Sequence, residues 1–305
     1  MVDINAEIGK LDWSREPKGL YEPIGYALAA GGKRIRPTLA LLGAKAVCGD
    51  RFDTSIENAV LPAALALEVF HNFTLLHDDV MDKAEVRRGR PTVHVKWNEN
   101  TAILSGDQML IEAYKLLSHV PAEKLPKVLD LFNKMATEVC EGQQLDVDFE
   151  KRNDVTIAEY MEMIRLKTSV LLATALQIGA YIAGGTDEEQ QALYDFGINL
   201  GLAFQIQDDY LDCFGNPATF GKAIGGDIRE GKKTWLWLTA SLKEHGTQTV
   251  EDVLREYERL GVKKAAEEEI ARLTEKALDC LTSLGVNEGT NALRKLAEKL
   301  ALRSA

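Results

Sequence analysis

Little in this chain can build a disulfide scaffold, a β-sandwich or a nucleic-acid surface. Its four cysteines (Cys48, Cys140, Cys213, Cys280) are scattered over 305 residues, with no CxxC pair and no metal-ligand spacing. That pattern predicts reduced core thiols in a cytosolic protein. Proline (8) and aromatic residues (7%) are scarce beside 46% hydrophobic residues, a balance that favours helices over short-stranded β folds. Basic residues are outnumbered, and a net charge of −11 excludes general nucleic-acid binding, which needs basic stripes. An anionic substrate is still allowed, since metal ions and a few local cations reverse the potential inside a cleft. Uninterrupted apolar runs of membrane-spanning length are missing too. The most apolar stretch, SVLLATALQIGAYIAGG, is short and mixed with Ser, Thr, Gln and Gly, so it reads as a buried helix and not as an integral membrane span. The opening MVDINAEIGKLDW carries early acids and no apolar segment. No secretory signal is therefore expected, and the cytoplasm is the expected location.

What is present is helical periodicity. Apolar residues recur at three and four throughout, without sustained alternation at two. The expectation is an all-α chain with breaks at Gly31-Gly32, Gly49-Asp50, Arg88 to Pro91, Pro121, Asn153-Asp154, Gly184-Gly185 and from Gly215 to Gly231. No low-complexity or Pro-rich linker divides it, so residues 1–305 are expected to form a single domain. The charged, amphipathic tail from Val250 to Ala305 reads as a pair of surface helices.

Two aspartate clusters with the same spacing lie 130 residues apart: Asp78, Asp79 and Asp82 in TLLHDDVMD, and Asp208, Asp209 and Asp212 in FQIQDDYLD. On a helix, positions four apart share a face, so Asp78 stacks on Asp82 and Asp208 on Asp212. Like charges stacked in this way repel, and a hard cation with oxygen ligands offsets that repulsion. Mg²⁺ suits the arrangement, since it takes one or two carboxylates, retained waters and substrate phosphates. One acidic triplet is usually a solvated helix face. A second copy with apolar flanks points to metal chemistry.

Cations accompany both clusters. GGKRIRP supplies Lys33, Arg34 and Arg36 after a Gly-Gly pair, and EVRRGRPTVH supplies Arg87, Arg88 and Arg90 just beyond Asp82. The forked guanidinium matches diphosphate oxygens. His71 precedes Asp78 by two turns on the same face, where a lone histidine is more often a core residue. Lys167 and Thr168 open an apolar helix, and Lys222, Lys232 and Lys233 follow the second cluster among glycines. Basic residues after each acidic cluster form a layout for a polyanion held by metals. Trp235, Trp237 and His94 read as core or loop packing.

The ordered set GGKRIRP, LLHDDVMD with RRG, GQQLD, KT, and FQIQDDYLD with GK and GGDI resembles the trans-isoprenyl diphosphate synthases, the polyprenyl synthetase family. The resemblance runs from about Gly31 to Lys233. It implies an isoprenoid synthase fold, a helical bundle around a deep central cavity with the two motifs facing each other at its mouth, and a homodimer. It implies condensation of isopentenyl diphosphate with an allylic diphosphate such as dimethylallyl, geranyl or farnesyl diphosphate, giving farnesyl or geranylgeranyl diphosphate. Carried over by residue, Asp78, Asp79, Asp82 and Asp208 hold Mg²⁺, and Asp209 and Asp212 complete the second motif directly or through water. Arg87, Lys167 and Lys222 reach the allylic diphosphate, with Lys232 close by. Lys33, Arg36, His71 and Arg88 hold isopentenyl diphosphate, and Thr168 and Gln205 face the reacting carbons. The chemistry asks for no protein nucleophile, and no Ser/His/Asp or Cys/His arrangement is found.

Chain length is expected to be set ahead of the first motif. Phe73 lies five residues before Asp78, about 7.5 Å down the helix axis at ~1.5 Å per residue, and an aromatic there blocks a long chain. Thr74 beside it is smaller than the second aromatic of animal and fungal farnesyl synthases, so the pair resembles enzymes that make fifteen- or twenty-carbon products. Two alternatives stand beside this reading. A class I terpene cyclase has a second motif of the Asn/Ser/Glu type and no second diphosphate to hold. A non-catalytic partner subunit usually loses metal ligands, whereas all six aspartates stand here.

Overall fold

A computed structural model describes residues 1–215, 224–242 and 249–301. The described residues are helical nearly throughout, as the periodicity predicts. The one sheet among them is a hairpin, Val86–Arg87 antiparallel to Arg90–Pro91, at the break expected from Arg88 to Pro91. Arg88 and Gly89 at its turn both take positive φ (52° and 73°), which the turn requires. The chain divides into two compact units, one of Met1–Leu131 with Ala175–Gln190 and one of Phe132–Thr174 with Gln191–Ala305.

The first unit is organised by helix Thr54–Met81. Asp53 caps it by accepting the Ile56 N–H at 3.0 Å. Its buried residues include Val60, Ala63, Leu67 and Phe70, together with three polar side chains, Glu68, Asn72 and Asp79. This helix is long and apolar enough to cross a membrane by composition, but 61% of its most apolar window is buried inside the protein, as befits a core helix. Helix Ile35–Cys48 approaches the chain at Leu176 and Gly179 so closely that a Cβ on Gly43 would overlap the Leu176 carbonyl, and one on Gly179 the Ala40 carbonyl. Glycine at both positions permits the backbone contact.

The second unit gathers its core from helix Asp187–Phe214, helix Ile157–Ile164, helix Trp235–Thr239 and the C-terminal helices. Trp235 and Trp237 are buried in it. The tail corrects an expectation: it holds three helices, Val250–Arg259, Val262–Cys280 and Glu288–Ala301, and they contribute core residues. Tyr257 and Ala266 are fully buried and Leu273 is 2% exposed. The cysteines also differ from expectation. Cys48 and Cys213 are buried, but Cys140 is exposed and Cys280 half-buried; all four are free. Their single positions on amphipathic helices gave no sign of which face they occupy.

A π-helical turn, Arg165–Ser169, joins helix Ile157–Ile164 to helix Val170–Ile182 and carries Lys167 and Thr168. Such turns tend to mark functional sites. Glycines let neighbouring helices close on it: a Cβ on Gly142 would overlap the Lys167 N–H, and one on Gly201 the Ser169 side chain.

Candidate active site

The first aspartate motif occupies the C-terminal end of helix Thr54–Met81, with Asp82 as its C-cap. Unsatisfied carbonyls put negative partial charge at that end, so three carboxylates there create a place for cations. Asp79 is buried, and burial raises its pKa while Arg87 pulls it back down. Arg87 donates from Nε to Asp79 Oδ1 at 2.7 Å and lies 3.5 Å from Asp78 Oδ2. A protein cation thus already sits on two of the acids. Asp78 is half-buried and Asp82 exposed.

Four guanidiniums crowd the same unit. His71 is half-buried, and its pKa is held well below 6.5 by burial and then by Arg36, Arg88, Arg87 and Arg34. Burial, opposed by Glu68 and aided by Arg88, lowers Arg36 to about 10. The Arg88 pKa is lowered by burial and by Arg34. Arg88 also donates to the Gly31 carbonyl, so the hairpin turn reaches the GGKRIRP loop. Gly32 takes φ 131°, a conformation that favours glycine, and lies against the Arg88 guanidinium. The buried Arg36 Nε has no hydrogen-bond partner. These groups repel one another, and an anion relieves that repulsion. Lys33 is exposed on the same loop. Arg34, the third cation of the run, turns inward to Glu68 at 2.6 Å.

Ahead of the first motif, the Phe73 ring stands edge-on to His77 at 4.8 Å and tilted against Phe70 at 5.5 Å. Thr74 donates its hydroxyl to the His71 carbonyl at 2.8 Å. His77 lies 3.1 Å from the Ile103 carbonyl and over Gly106, where a Cβ would overlap its ring.

The second motif also ends a helix, Asp187–Phe214, but its acids are spent differently. Asp209 is 5% exposed, and its Oδ2 accepts the Tyr160 hydroxyl at 2.5 Å and the Trp235 N–H at 3.1 Å. Burial and Asp227 push its pKa well above the usual carboxylate range, while those two hydrogen bonds pull it down. Asp212 is buried and accepts the Asp227 N–H at 3.1 Å. Asp208 is the half-buried member. Nearby, Thr168 donates to Gln205 Oε1 at 3.1 Å, and Gln205 Nε2 lies 3.5 Å from Asp209 Oδ1. Lys167 pairs with Asp146 at 2.6 Å. Lys232 pairs with Glu230 at 3.0 Å and lies 4.0 Å from Asp227. Lys222 lies outside the described residues.

The structure therefore brings Arg36, His71, Arg87, Arg88, Asp78 and Asp79 together in the first unit, and Lys167, Thr168, Gln205, Asp208 and Asp209 together in the second. Sequence reasoning gave no role to Tyr160, Asp227 or Glu68. Glu68, an acid in the apolar run LALEVF, was the one visible signal. Among the described residues no three His, Cys, Asp or Glu side chains converge as a cage for one metal. The donor set that remains, one or two carboxylates completed by water and phosphate oxygens, fits Mg²⁺.

Comparison with known proteins follows the same line. The sequence profile of the family described as polyprenyl synthetase matches residues 17–275. The chain is 45% identical over 239 residues to a geranylgeranyl diphosphate synthase of Methanosarcina mazei, covering 78% of this chain and 72% of that protein. It is 38% identical over 320 aligned positions to a geranylfarnesyl diphosphate synthase of Natronomonas pharaonis, covering 95% and 92%. Among solved structures, a geranylgeranyl pyrophosphate synthase from Corynebacterium glutamicum, complexed with isoprenyl diphosphate and magnesium, superposes with a TM-score of 0.84 at 30% identity, covering 98% of this chain and 96% of that one.

Proposed function

From the premise that this chain belongs to the polyprenyl synthetase family and is a short-chain prenyltransferase, we propose that it condenses isopentenyl diphosphate with allylic diphosphates up to geranylgeranyl diphosphate. The observation that carries the substrate class is the cluster of guanidiniums around His71, in which burial, with Arg88 adding to it, lowers Arg36 to about 10. Such a cluster is costly without an anion and receives a diphosphate readily.

In this reading Lys33, Arg36, His71 and Arg88 hold isopentenyl diphosphate. Arg87, Lys167, Lys222 and Lys232 hold the allylic diphosphate. Asp78, Asp79, Asp82 and Asp208 would be the direct metal ligands, Asp79 once Arg87 yields it, while Asp209 and Asp212 support them. Mg²⁺, when bound, stabilises the negative charge that grows on the departing diphosphate. The protein cations share that task from fixed positions. The allylic C–O bond breaks, the isopentenyl double bond attacks the allylic carbon, and a proton leaves to the released diphosphate. The Thr168 hydroxyl and Gln205 amide face the carbocation with their oxygens. Lys167, held by Asp146, stays near the leaving group.

The product assignment rests on Phe73, which keeps its ring against His77 and Phe70. Both units are assigned to one catalytic domain, located in the cytoplasm on the strength of four free thiols. A homodimer is part of the proposal, and Ile103, Leu104 and Ile111, exposed on helix Glu99–Leu117, support it. Light scattering should give twice the chain mass; a monomer would overturn this part. The activity is tested by incubating the protein and Mg²⁺ with labelled isopentenyl diphosphate and dimethylallyl, geranyl or farnesyl diphosphate. Twenty-carbon product from all three starters is expected. Absence of incorporation with every starter would overturn the reading.

A further inference from the structure

Of the three cations in GGKRIRP, Arg34 is the least exposed, at 7%. Each of its three nitrogens is engaged: Nε donates to Asn5 Oδ1 at 3.0 Å, one terminal nitrogen to Glu68 Oε1 at 2.6 Å, and the other to the Leu28 carbonyl at 2.7 Å. Its backbone takes φ 47°, ψ 42°, a left-handed conformation that residues other than glycine rarely adopt. That twist starts helix Ile35–Cys48 while sending the side chain inward. Glu68, 2% exposed, stands one turn before His71 on helix Thr54–Met81. Asn72 reaches back to it, with Nδ2 3.2 Å from Oε1 and 2.8 Å from the Glu68 carbonyl. The Glu68 charge also acts on Arg36 and Arg88. A buried carboxylate therefore lies within electrostatic reach of the two guanidiniums assigned to a diphosphate, and Arg36 keeps its buried Nε without a protein acceptor.

We propose that Arg34 is a positioning residue: with Asn72 it engages the Glu68 carboxylate, so that Arg36 and Arg88 remain available to isopentenyl diphosphate. Arg34 is then not a ligand of the diphosphate. It removes a competitor for the ligands and fixes the loop that carries Lys33 and Arg36 to the helix that carries His71. This rests on the assignment of Lys33, Arg36, His71 and Arg88 given above.

The test is steady-state kinetics with each substrate varied in turn. In Arg34→Met the freed Glu68 should turn to Arg36 and Arg88, raising KM for isopentenyl diphosphate about tenfold or more while KM for the allylic substrate and kcat stay within about twofold. In the double variant Arg34→Met/Glu68→Gln the competing charge is gone, and KM for isopentenyl diphosphate should return most of the way although the melting temperature stays lowered. A brace with only a structural role would lower the melting temperature without separating the two KM values, and that result would overturn the proposal, as would absence of rescue in the double variant. Arg36→Met is the reference arm. If it leaves KM for isopentenyl diphosphate unchanged, the subsite assignment fails, which is distinct from failure of the brace. Should Arg34→Met not fold, Arg34→Lys keeps the charge but loses the fork, and its KM values are read in the same way.

Discussion

The same five-residue pattern, DDxxD, closes a helix in each unit, and the two copies are wired differently. In the first, the middle acid is engaged by a side-chain cation, Arg87, which is itself 35% exposed at the side chain. In the second, the middle acid takes a tyrosine hydroxyl and a backbone N–H, and the third acid takes another backbone N–H. An ion pair at a half-exposed arginine can rearrange when a metal and a phosphate arrive, since it is worth little in a solvated setting. Buried hydrogen bonds from fixed donors cannot be traded so cheaply. The first copy is thus built to exchange partners, and the second uses Asp209 and Asp212 to hold helices Ile157–Ile164, Trp235–Thr239 and Gly226–Glu230 in place around Asp208. Identical spacing reported a shared placement at a helix end, not a shared role for each aspartate.

The largest effect should come from the first acid of each copy, assigned above to metal. Asp78→Asn and Asp208→Asn should each lower kcat on the order of 10³-fold, with melting temperatures close to that of the unaltered protein. A loss below tenfold in either would erase the proposed equivalence of these two positions. Next comes the asymmetry. Asp209→Ala strands the Tyr160 hydroxyl and the Trp235 N–H, and should cost about 3 kcal/mol in denaturant unfolding. Asp82→Ala, at an exposed cap, should cost under about 0.5 kcal/mol. Equal costs would remove the distinction between the copies.

Phe73→Ala leaves both motifs intact and tests what lies ahead of the first. Its products should lengthen by at least one isoprene unit on reversed-phase chromatography; an unchanged product range would place the floor elsewhere. The smallest effect concerns pH. His71 has a folded pKa below its unfolded value of about 6.5. Between those two values the unfolded chain takes up a proton that the folded chain does not, so stability is present above about pH 6.5 and is lost as pH falls through the window. The slope cannot exceed about 1.4 kcal/mol per pH unit. Unfolding in urea at pH 7.5 and 5.5 should therefore show a smaller acid loss for His71→Asn than for the unaltered chain.

Much of this was legible in the sequence. Helical periodicity gave the all-α class, glycine and proline gave most of the breaks, and two motifs with their cations gave the chemistry. What was not legible depended on the third dimension. The hairpin at Val86–Pro91 is too short for any alternation to register. The π-turn under Lys167 and Thr168 arises where Gly142 and Gly201 let two helices close on one backbone, and spacing along one segment does not encode that. Arg34 looked equal to Lys33 and Arg36 because a run of cations does not say which one turns inward; Glu68, an acid within LALEVF, was the trace of it. The tail's amphipathic pattern points to surface helices because its charged face dominates, while Tyr257 and Leu273 pack into the core.

The most direct measurement is a calorimetric titration of Mg²⁺ in the presence of an unreactive allylic diphosphate analogue. It would compare the unaltered protein with Asp78→Asn, Asp208→Asn and Asp209→Asn. If the copies differ as argued, Asp209→Asn binds as many ions as the unaltered protein and shows only a lowered melting temperature, while Asp78→Asn and Asp208→Asn bind fewer. If Asp209→Asn loses as many ions as Asp208→Asn, the division of labour within the second motif is wrong.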